Sequence, residues 1–188
     1  RIYSRIRKMK YTFLLLFAAS FSHLFGSVYY VSHLGTSGNN GLTTSSPKNL
    51  SWAMSNAVAG DTIYIKAGNY GGGTYTQNNN GTSSNPIQFI GTDASWNIIT
   101  ANNGCSFITG DDVNANAMPL LQENRAGLTG TGTAIELNGS YVHFKNFQIK
   151  YYERGLETIG DYNHIDNIFT LEQGNHDDAD KNDPFGNF

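Results

Sequence analysis

The sequence predicts an all-β fold in which short strands stack into successive coils. Three observations indicate it: asparagine and glycine are abundant, short alternating apolar segments recur, and one segment repeats after 21 residues. The 188 residues include 22 Asn and 21 Gly but only 4 Pro. Because Asn and Gly tolerate left-handed backbone angles, this composition is typical of short strands joined by tight turns. The 13% aromatic content supplies core-forming side chains, which disordered polar chains lack.

The first 27 residues have the layout of a secretory signal peptide. A positive region formed by Arg5, Arg7, Lys8 and Lys10 precedes an apolar run over residues 13–19, and small residues follow at 26 and 27. The apolar run is too short to span a bilayer. We expect Met9 to be the true start and the residues before it to be upstream sequence. The chain from residue 28 on is then exported to the cell exterior, the cell surface or the periplasm, with no membrane span.

Removing the signal peptide leaves a strongly acidic chain. Residues 28–188 contain 7 Lys and Arg against 15 Asp and Glu, a net charge of −8. This charge argues against binding to nucleic acid or to anionic membranes, and it is compatible with recruiting a cation such as calcium. The single cysteine, Cys105, cannot form an internal disulfide, and we interpret it as a small buried residue.

The front of the mature chain reads as strand, loop, helix and strand. Residues 28–32 alternate like a strand, and a loop rich in Gly, Ser, Thr and Asn follows. Residues 49–58 place apolar side chains on one face of a short helix, with Asn49 or Ser51 as its N-cap. A Gly-Asp turn leads into a second alternating strand over residues 62–67. The apolar positions of the helix are Leu50, Ala53, Met54, Ala57 and Val58.

The sequence over residues 28–70 resembles the N-terminal segment of right-handed parallel β-helix proteins, the pectate lyase-like superfamily. The likeness rests on five features in order: a YYV strand, a Gly-rich loop, a short helix, a GDTIY strand and a Gly-x-Tyr turn. The resemblance implies a right-handed parallel β-helix, a solenoid whose open end is covered by a short capping α-helix. On this basis residues 28–188 are the cap and first coils of one domain, truncated at the C-terminus.

An internal repeat supports stacked coils independently. Residues 134–147 align with residues 155–168, and a period near 20 residues is what stacked coils require. We expect Asn146 and Asn167 to form an asparagine ladder in a turn. The five identical pairs are Glu136/Glu157, Gly139/Gly160, Tyr141/Tyr162, His143/His164 and Asn146/Asn167. The histidines are interpreted as stacked, outward polar residues in preference to catalytic ones.

The middle of the chain is less regular. Residues 83–91 read as one strand because an apolar run follows a Ser-Ser-Asn-Pro turn. Residues 111–132 show no clean period. We predict that they form a loop inserted between coils.

The strongest candidate for a metal site lies near the C-terminal end of the sequence. Asp177, Asp178 and Asp180 cluster there, and calcium binds clustered carboxylate oxygens. Asp183 occupies the position where a calcium loop needs glycine, and no Glu closes the loop. A solvated acidic loop is therefore the competing interpretation.

No catalytic motif is present, so no catalytic residue is assigned. Three basic residues lie on or near predicted coils: Lys145, Lys150 and Arg154. None matches a motif of the lyase families, and we expect all three to be solvent-facing charges.

The resemblance implies a secreted carbohydrate-active protein, most specifically a polysaccharide lyase acting on an acidic polysaccharide. In that chemistry a calcium ion neutralises the sugar carboxylate, and a base removes the adjacent C5 proton in a β-elimination. One alternative is a non-catalytic β-helix surface or adhesion protein that binds glycans. A further alternative is a glycoside hydrolase on the same fold, which needs paired carboxylates.

Overall fold

The computed structural model describes residues 26–100, 113–123 and 132–171. These ranges contain ten short strands and a single short helix, so the all-β prediction is confirmed. In chain order the elements are β1 (Val28–Val31), α1 (Leu50–Asn56), β2 (Thr62–Lys66), β3 (Gly68–Asn69), β4 (Tyr75–Gln77), β5 (Ile87–Thr92), β6 (Pro119–Gln122), β7 (Thr133–Leu137), β8 (Val142–Lys150), β9 (Arg154–Thr158) and β10 (His164–Leu171).

The strands form two sheets, and every pair of neighbouring strands is parallel. The larger sheet runs in the order β1-β2-β5-β8-β6-β3, and β10 also pairs with β8. The smaller sheet runs β4-β7-β9. Strands distant in sequence are thus neighbours in space, as crossover connections between parallel strands require. The strand order defines a parallel all-β architecture and does not itself define a closed solenoid.

The repeat found in the sequence sets the pairing of the last strands. His143 pairs with His164 and Phe144 with Ile165 between β8 and β10, a shift of 21 residues. Between β7 and β9, Ile135 pairs with Leu156, which is the same shift. Equivalent residues of the two copies therefore lie on adjacent strands.

Strand β8 serves two parts of the larger sheet because it bends at Asn146. Its first half pairs with β5 and its second half with β6. Asn146 has φ +66 and is buried, and its Nδ2 donates to the carbonyl oxygens of Gly91 and Ile99 at 3.1 and 3.2 Å. One rung further, Asn167 has φ +50 and donates to Asn146 Oδ1 at 2.8 Å. The predicted asparagine ladder is confirmed.

Helix α1 begins where the sequence predicts. Asn49 is its N-cap, with a side-chain oxygen that accepts from the backbone N–H of Trp52 at 2.8 Å. The predicted apolar face is buried except for Val58, which lies beyond the end of the helix and is 52% exposed. Within the described ranges, no helix is long and apolar enough to cross a membrane.

The core is a stack of inward side chains from successive strands. Ile63, Phe89 and Phe144 occupy equivalent positions of β2, β5 and β8, and all three are buried. The rings of Phe89 and Phe144 lie 5.9 Å apart between centroids, and Phe147 stacks on Phe144 at 4.1 Å. Alternation along each strand sends the intervening side chains to the opposite face.

One sequence prediction about the middle of the chain is wrong. Residues 111–132 were expected to form only a loop, but they include strand β6, which pairs with β3 and β8. Leu120 and Leu121 of this strand are buried. The strand has four residues, too few to produce a period that can be recognised in the sequence.

The close approach at the bend of β8 yields a stability prediction. A methyl group at Gly91 would overlap the backbone carbonyl oxygen of Asn146, which cannot move without breaking the ladder. We expect Gly91→Ala to lower the free energy of unfolding by about 2–3 kcal/mol in urea denaturation. The matched control is Gly38→Ala, where only the Thr36 hydroxyl lies within 4 Å. This control should change stability by less than about 0.5 kcal/mol, and equal effects at both glycines would contradict the packing argument.

Candidate functional site: the outer face of the larger sheet

The outer face is the surface formed by side chains that β1, β2, β5, β8 and β10 turn away from the core. Burial alternates along β2 and the first half of β8, and the parallel register aligns the outward positions of the other strands with theirs. Adjacent strands of a sheet lie about 4.8 Å apart, so outward residues form continuous rows. The polar and aromatic residues of the outer face are Tyr30, Thr62, Tyr64, Lys66, Gln88, His143, Lys145, His164 and Asp166.

Aromatic rings gather at the β1 and β2 end of the outer face. Tyr30 and Tyr64 are register partners, with ring centroids 5.9 Å apart. Trp96, from the loop after β5, meets Tyr30 edge to face at 5.3 Å and 88°. Lys66 Nζ lies 5.4 Å from the centre of the Trp96 ring. All four side chains are half-buried, so they are held in place and still reach solvent.

The loop that presents Trp96 is built around Asp93. The Asp93 carboxylate accepts hydrogen bonds from the backbone N–H groups of Ser95 and Asn97 at 2.7 and 2.9 Å, and from Asn97 Nδ2 at 2.9 Å. Burial raises the pKa of Asp93, but these hydrogen bonds outweigh it and lower the pKa below its usual value. Trp96 has φ +70, an uncommon conformation for a bulky residue. The ionised Asp93 thus fixes a strained turn that lays an indole ring on the outer face.

Imidazoles and a lysine occupy the β8 and β10 end of the outer face. His143 and His164 are register partners, with ring centroids 5.4 Å apart and ring planes at 58°. Lys145 lies two residues beyond His143 on the same side of β8. It forms no salt bridge or hydrogen bond within the described part of the chain. The expected outward stacking of the two histidines is confirmed.

The electrostatics of this end keep His143 uncharged at neutral pH. Burial lowers the pKa of His143 below 6.5, and the neighbouring His164 and Lys145 lower it further because each disfavours a second positive charge. A neutral imidazole can accept a proton or a hydrogen bond. The β8 and β10 end therefore combines a lysine with a His143 imidazole that can accept a proton.

A second polar cluster lies on the smaller sheet. Glu136 and Glu157 are register partners on β7 and β9. Glu136 accepts a hydrogen bond from the Thr76 hydroxyl at 3.0 Å, and Glu157 lies 3.7 Å from Arg154. The register therefore brings these two carboxylates side by side.

The structure distributes the sequence-predicted site residues unevenly. Lys145 is half-exposed on the outer face and Arg154 is exposed, as expected. Lys150 was expected to face solvent, but it is only 6% exposed, with Nζ 4.7 Å from the centre of the Tyr151 ring. The calcium candidates Asp177, Asp178 and Asp180, like Cys105 and the signal peptide up to residue 25, lie outside the described residues.

Sequence reasoning missed the aromatic part of the outer face. Tyr30 and Tyr64 were assigned to strands, and their alternation with buried Val31 and Ile65 was the signal that would have placed them outward. Trp96 offered no comparable signal. Its position depends on how the loop after β5 folds back over β1 and β2.

No protein-family model matches the chain, and no curated protein matches it. Among solved structures, the chain is similar to a rhamnogalacturonan lyase with a TM-score of 0.46 and 20% identity, over 66% of this chain and 29% of that one. It is also similar to a GH136 lacto-N-biosidase from Eubacterium ramulus, with a TM-score of 0.49 and 16% identity, over 77% of this chain and 27% of that one. The matched region thus spans less than a third of either solved chain. At these values neither structure informs the roles of the outer-face residues.

The lowered pKa of His143 predicts how stability depends on pH. Because the folded state holds this proton less tightly than the unfolded chain, the unfolded chain binds more protons below pH 6.5. The contribution of His143 to the free energy of unfolding is therefore intact above pH 6.5 and is lost as the pH falls toward the lowered pKa. We expect His143→Gln to lose less stability than wild type between about pH 7 and about pH 5 in urea denaturation. Identical losses in the two proteins would contradict the burial and charge argument.

Proposed function

We propose that the chain is a carbohydrate-active protein that binds an acidic polysaccharide along its outer face. The observation that carries the proposal is the grouping of Tyr30, Tyr64 and Trp96 with Lys66 on one side of the sheet. The C–H face of a sugar ring packs on an aromatic ring, and a lysine ammonium pairs with a uronate carboxylate.

The charge distribution supports an anionic ligand. Residues 28–188 carry a net charge of −8, yet the strands of the outer face present Lys66 and Lys145 against one carboxylate, that of Asp166, with Asp93 in the loop that carries Trp96. The outer face is thus less acidic than the chain as a whole, which favours the approach of an anion there over the remaining surface. An acidic polysaccharide satisfies both the aromatic and the cationic features of the face.

The proposal includes the architecture and the location that the sequence predicts. A right-handed parallel β-helix is supported by the two parallel sheets, the 21-residue shift and the bend of β8 at Asn146. In such a solenoid the outer face is one long flank on which a polymer can lie across several coils. Export from the cell is supported by the signal-peptide pattern of residues 1–27.

The proposed reaction is β-elimination at a uronate residue of the bound polysaccharide. A base removes the C5 proton, the C4–C5 double bond forms, and the bond from C4 to the bridging oxygen breaks; that oxygen leaves with the neighbouring sugar and takes a proton from solvent. Calcium assistance is proposed on Asp177, Asp178 and Asp180 of the sequence. Among residues 26–100, 113–123 and 132–171, no three His, Cys, Asp or Glu side chains come together to hold a metal, so no step is assigned to the ion.

The reaction is tested by incubating the full chain with polygalacturonate, alginate and a glycosaminoglycan, with calcium and with a chelator. Formation of the unsaturated uronate product, followed by its ultraviolet absorbance, supports the lyase. Calcium assistance requires that the chelator suppress the product. Tight binding of one polymer without any product would overturn the lyase and leave a non-catalytic glycan-binding protein.

A glycoside hydrolase is the second candidate, and Glu136 with Glu157 favours it. As register partners on adjacent strands, the two residues start from backbone positions about 4.8 Å apart, and a retaining hydrolase uses two neighbouring carboxyl groups. This candidate predicts reducing ends without ultraviolet absorbance, and their loss in Glu136→Gln.

The aromatic end of the outer face gives a binding prediction with a matched control. Trp96→Ala should weaken binding of polygalacturonate about tenfold, since an aromatic contact contributes about 1–1.5 kcal/mol. Trp52 is the control because it makes the same kinds of contact elsewhere, edge to face with Tyr29 at 5.2 Å and 4.2 Å from Lys48 Nζ. Isothermal titration calorimetry at a temperature where all variants are folded measures both. Equal losses for Trp96→Ala and Trp52→Ala would remove Trp96 from the binding surface.

A further inference from the structure

We propose that His143, His164 and Lys145 form a subsite that binds a uronate carboxylate of the polysaccharide. The inference rests on the proposed function, because it assigns one chemical group of that ligand to one part of the outer face. It also predicts something that the proposed function alone does not: binding of the carboxylate at this subsite takes up a proton from solution.

The geometry places three nitrogen-bearing side chains on one patch of the outer face. His143 and His164 lie on adjacent strands with ring centroids 5.4 Å apart. Lys145 follows His143 by two residues, which returns its side chain to the same side of β8. A carboxylate has two oxygens, and it can accept a hydrogen bond from an imidazole N–H and pair with the ammonium at the same time.

Lys145 is available for such a ligand. It has no hydrogen bond or salt bridge within the described residues, although its register partner is Asp166 on β10. On the other side its register partner is Ile90 of β5, which is apolar and almost fully buried. This lysine is half-exposed, whereas Lys66 and Lys150 lie against aromatic rings.

The groups that face the two imidazoles determine the sign of the pH effect. His143 has Gln88 of β5 as its neutral partner on one side and His164 on the other. Lys145 is the charged group that follows it on its own strand, and Tyr141 precedes it. On β10, His164 is followed on its own side by Asp166, and Tyr162 and Asp161 lie in the turn that precedes the strand.

In the free protein this arrangement opposes protonation. Burial, His164 and Lys145 all lower the pKa of His143. A bound carboxylate supplies the missing negative charge and reverses the balance, so an imidazole that is neutral in the free protein becomes protonated in the complex. By linkage, the affinity for a carboxylate must rise as the pH falls toward the pKa of the free imidazole.

Isothermal titration calorimetry of the full chain with a trimer of galacturonic acid tests the subsite. Titrations near pH 6.5 in buffers of different ionisation enthalpy give the number of protons bound with the ligand. We expect a net uptake of a fraction of a proton and tighter binding at lower pH. The methyl-esterified trimer is the matched ligand without charge, and it should bind with no proton uptake.

Three variants separate the roles of the side chains. The double variant His143→Gln, His164→Gln should abolish proton uptake and flatten the pH dependence of affinity. Lys145→Met should weaken binding of the acid trimer about tenfold at every pH and leave binding of the ester unchanged. Asp166→Asn should strengthen binding of the acid about twofold because it removes a nearby like charge. Thermal melts confirm that each variant is folded.

The outcomes distinguish the subsite from the proposed function. Binding of the acid trimer without proton uptake, or with unchanged affinity in Lys145→Met, overturns the subsite and leaves the polysaccharide-binding proposal standing. Failure of the wild-type chain to bind polygalacturonate, its trimer and the ester at any pH overturns the proposed function and the subsite with it.

Discussion

The parallel register between β2, β5, β8 and β10 is the constraint on which the rest of the structure depends. Because side chains alternate between the two faces of a strand, a slip of one residue would send Ile63, Phe89 and Phe144 to solvent and bury the polar rows. The same register that assembles the core therefore assembles the outer face. A face whose composition is fixed by core packing can hold unpaired groups such as Lys145, since its own contacts are not required for folding.

The bend at Asn146 lets one continuous strand, β8, pair with two different strands. Strand β8 pairs first with β5 and then with β6, and between the two pairings Asn146 adopts the left-handed region, where asparagine is favoured among residues other than glycine. Two carbonyl groups and the next asparagine of the ladder satisfy the buried amide. A buried polar side chain with all its partners present specifies one conformation, whereas an apolar residue would leave the carbonyl groups of Gly91 and Ile99 without a donor.

The parts of the molecule that repeat or carry a local code could be predicted from sequence. The ladder at Asn146 and the pairing of His143 with His164 followed from the 21-residue period, and the start of α1 followed from the capping chemistry of Asn49. The parts that depend on a single contact between distant segments could not. Strand β6 is four residues long without a repeat partner, and Lys150 is buried where β8 lies between β6 and β10. Trp96 belongs to this second class as well, because it reaches Tyr30 of β1 only through the fold of its loop.

The two ends of the outer face differ in the energy that each supplies to a bound polymer. At the β1 and β2 end, rings held by packing and by the Asp93 turn offer contact area whose value changes little with pH or salt. At the β8 and β10 end, Lys145 offers a charge that salt screens, and the charge of His143 depends on pH. Strand β5 separates the two ends with Gln88 and the buried Ile90, neither of them charged. A ligand that gains from both ends must therefore extend across the strands and carry its anionic groups at intervals, as an acidic polymer does and a small neutral sugar does not.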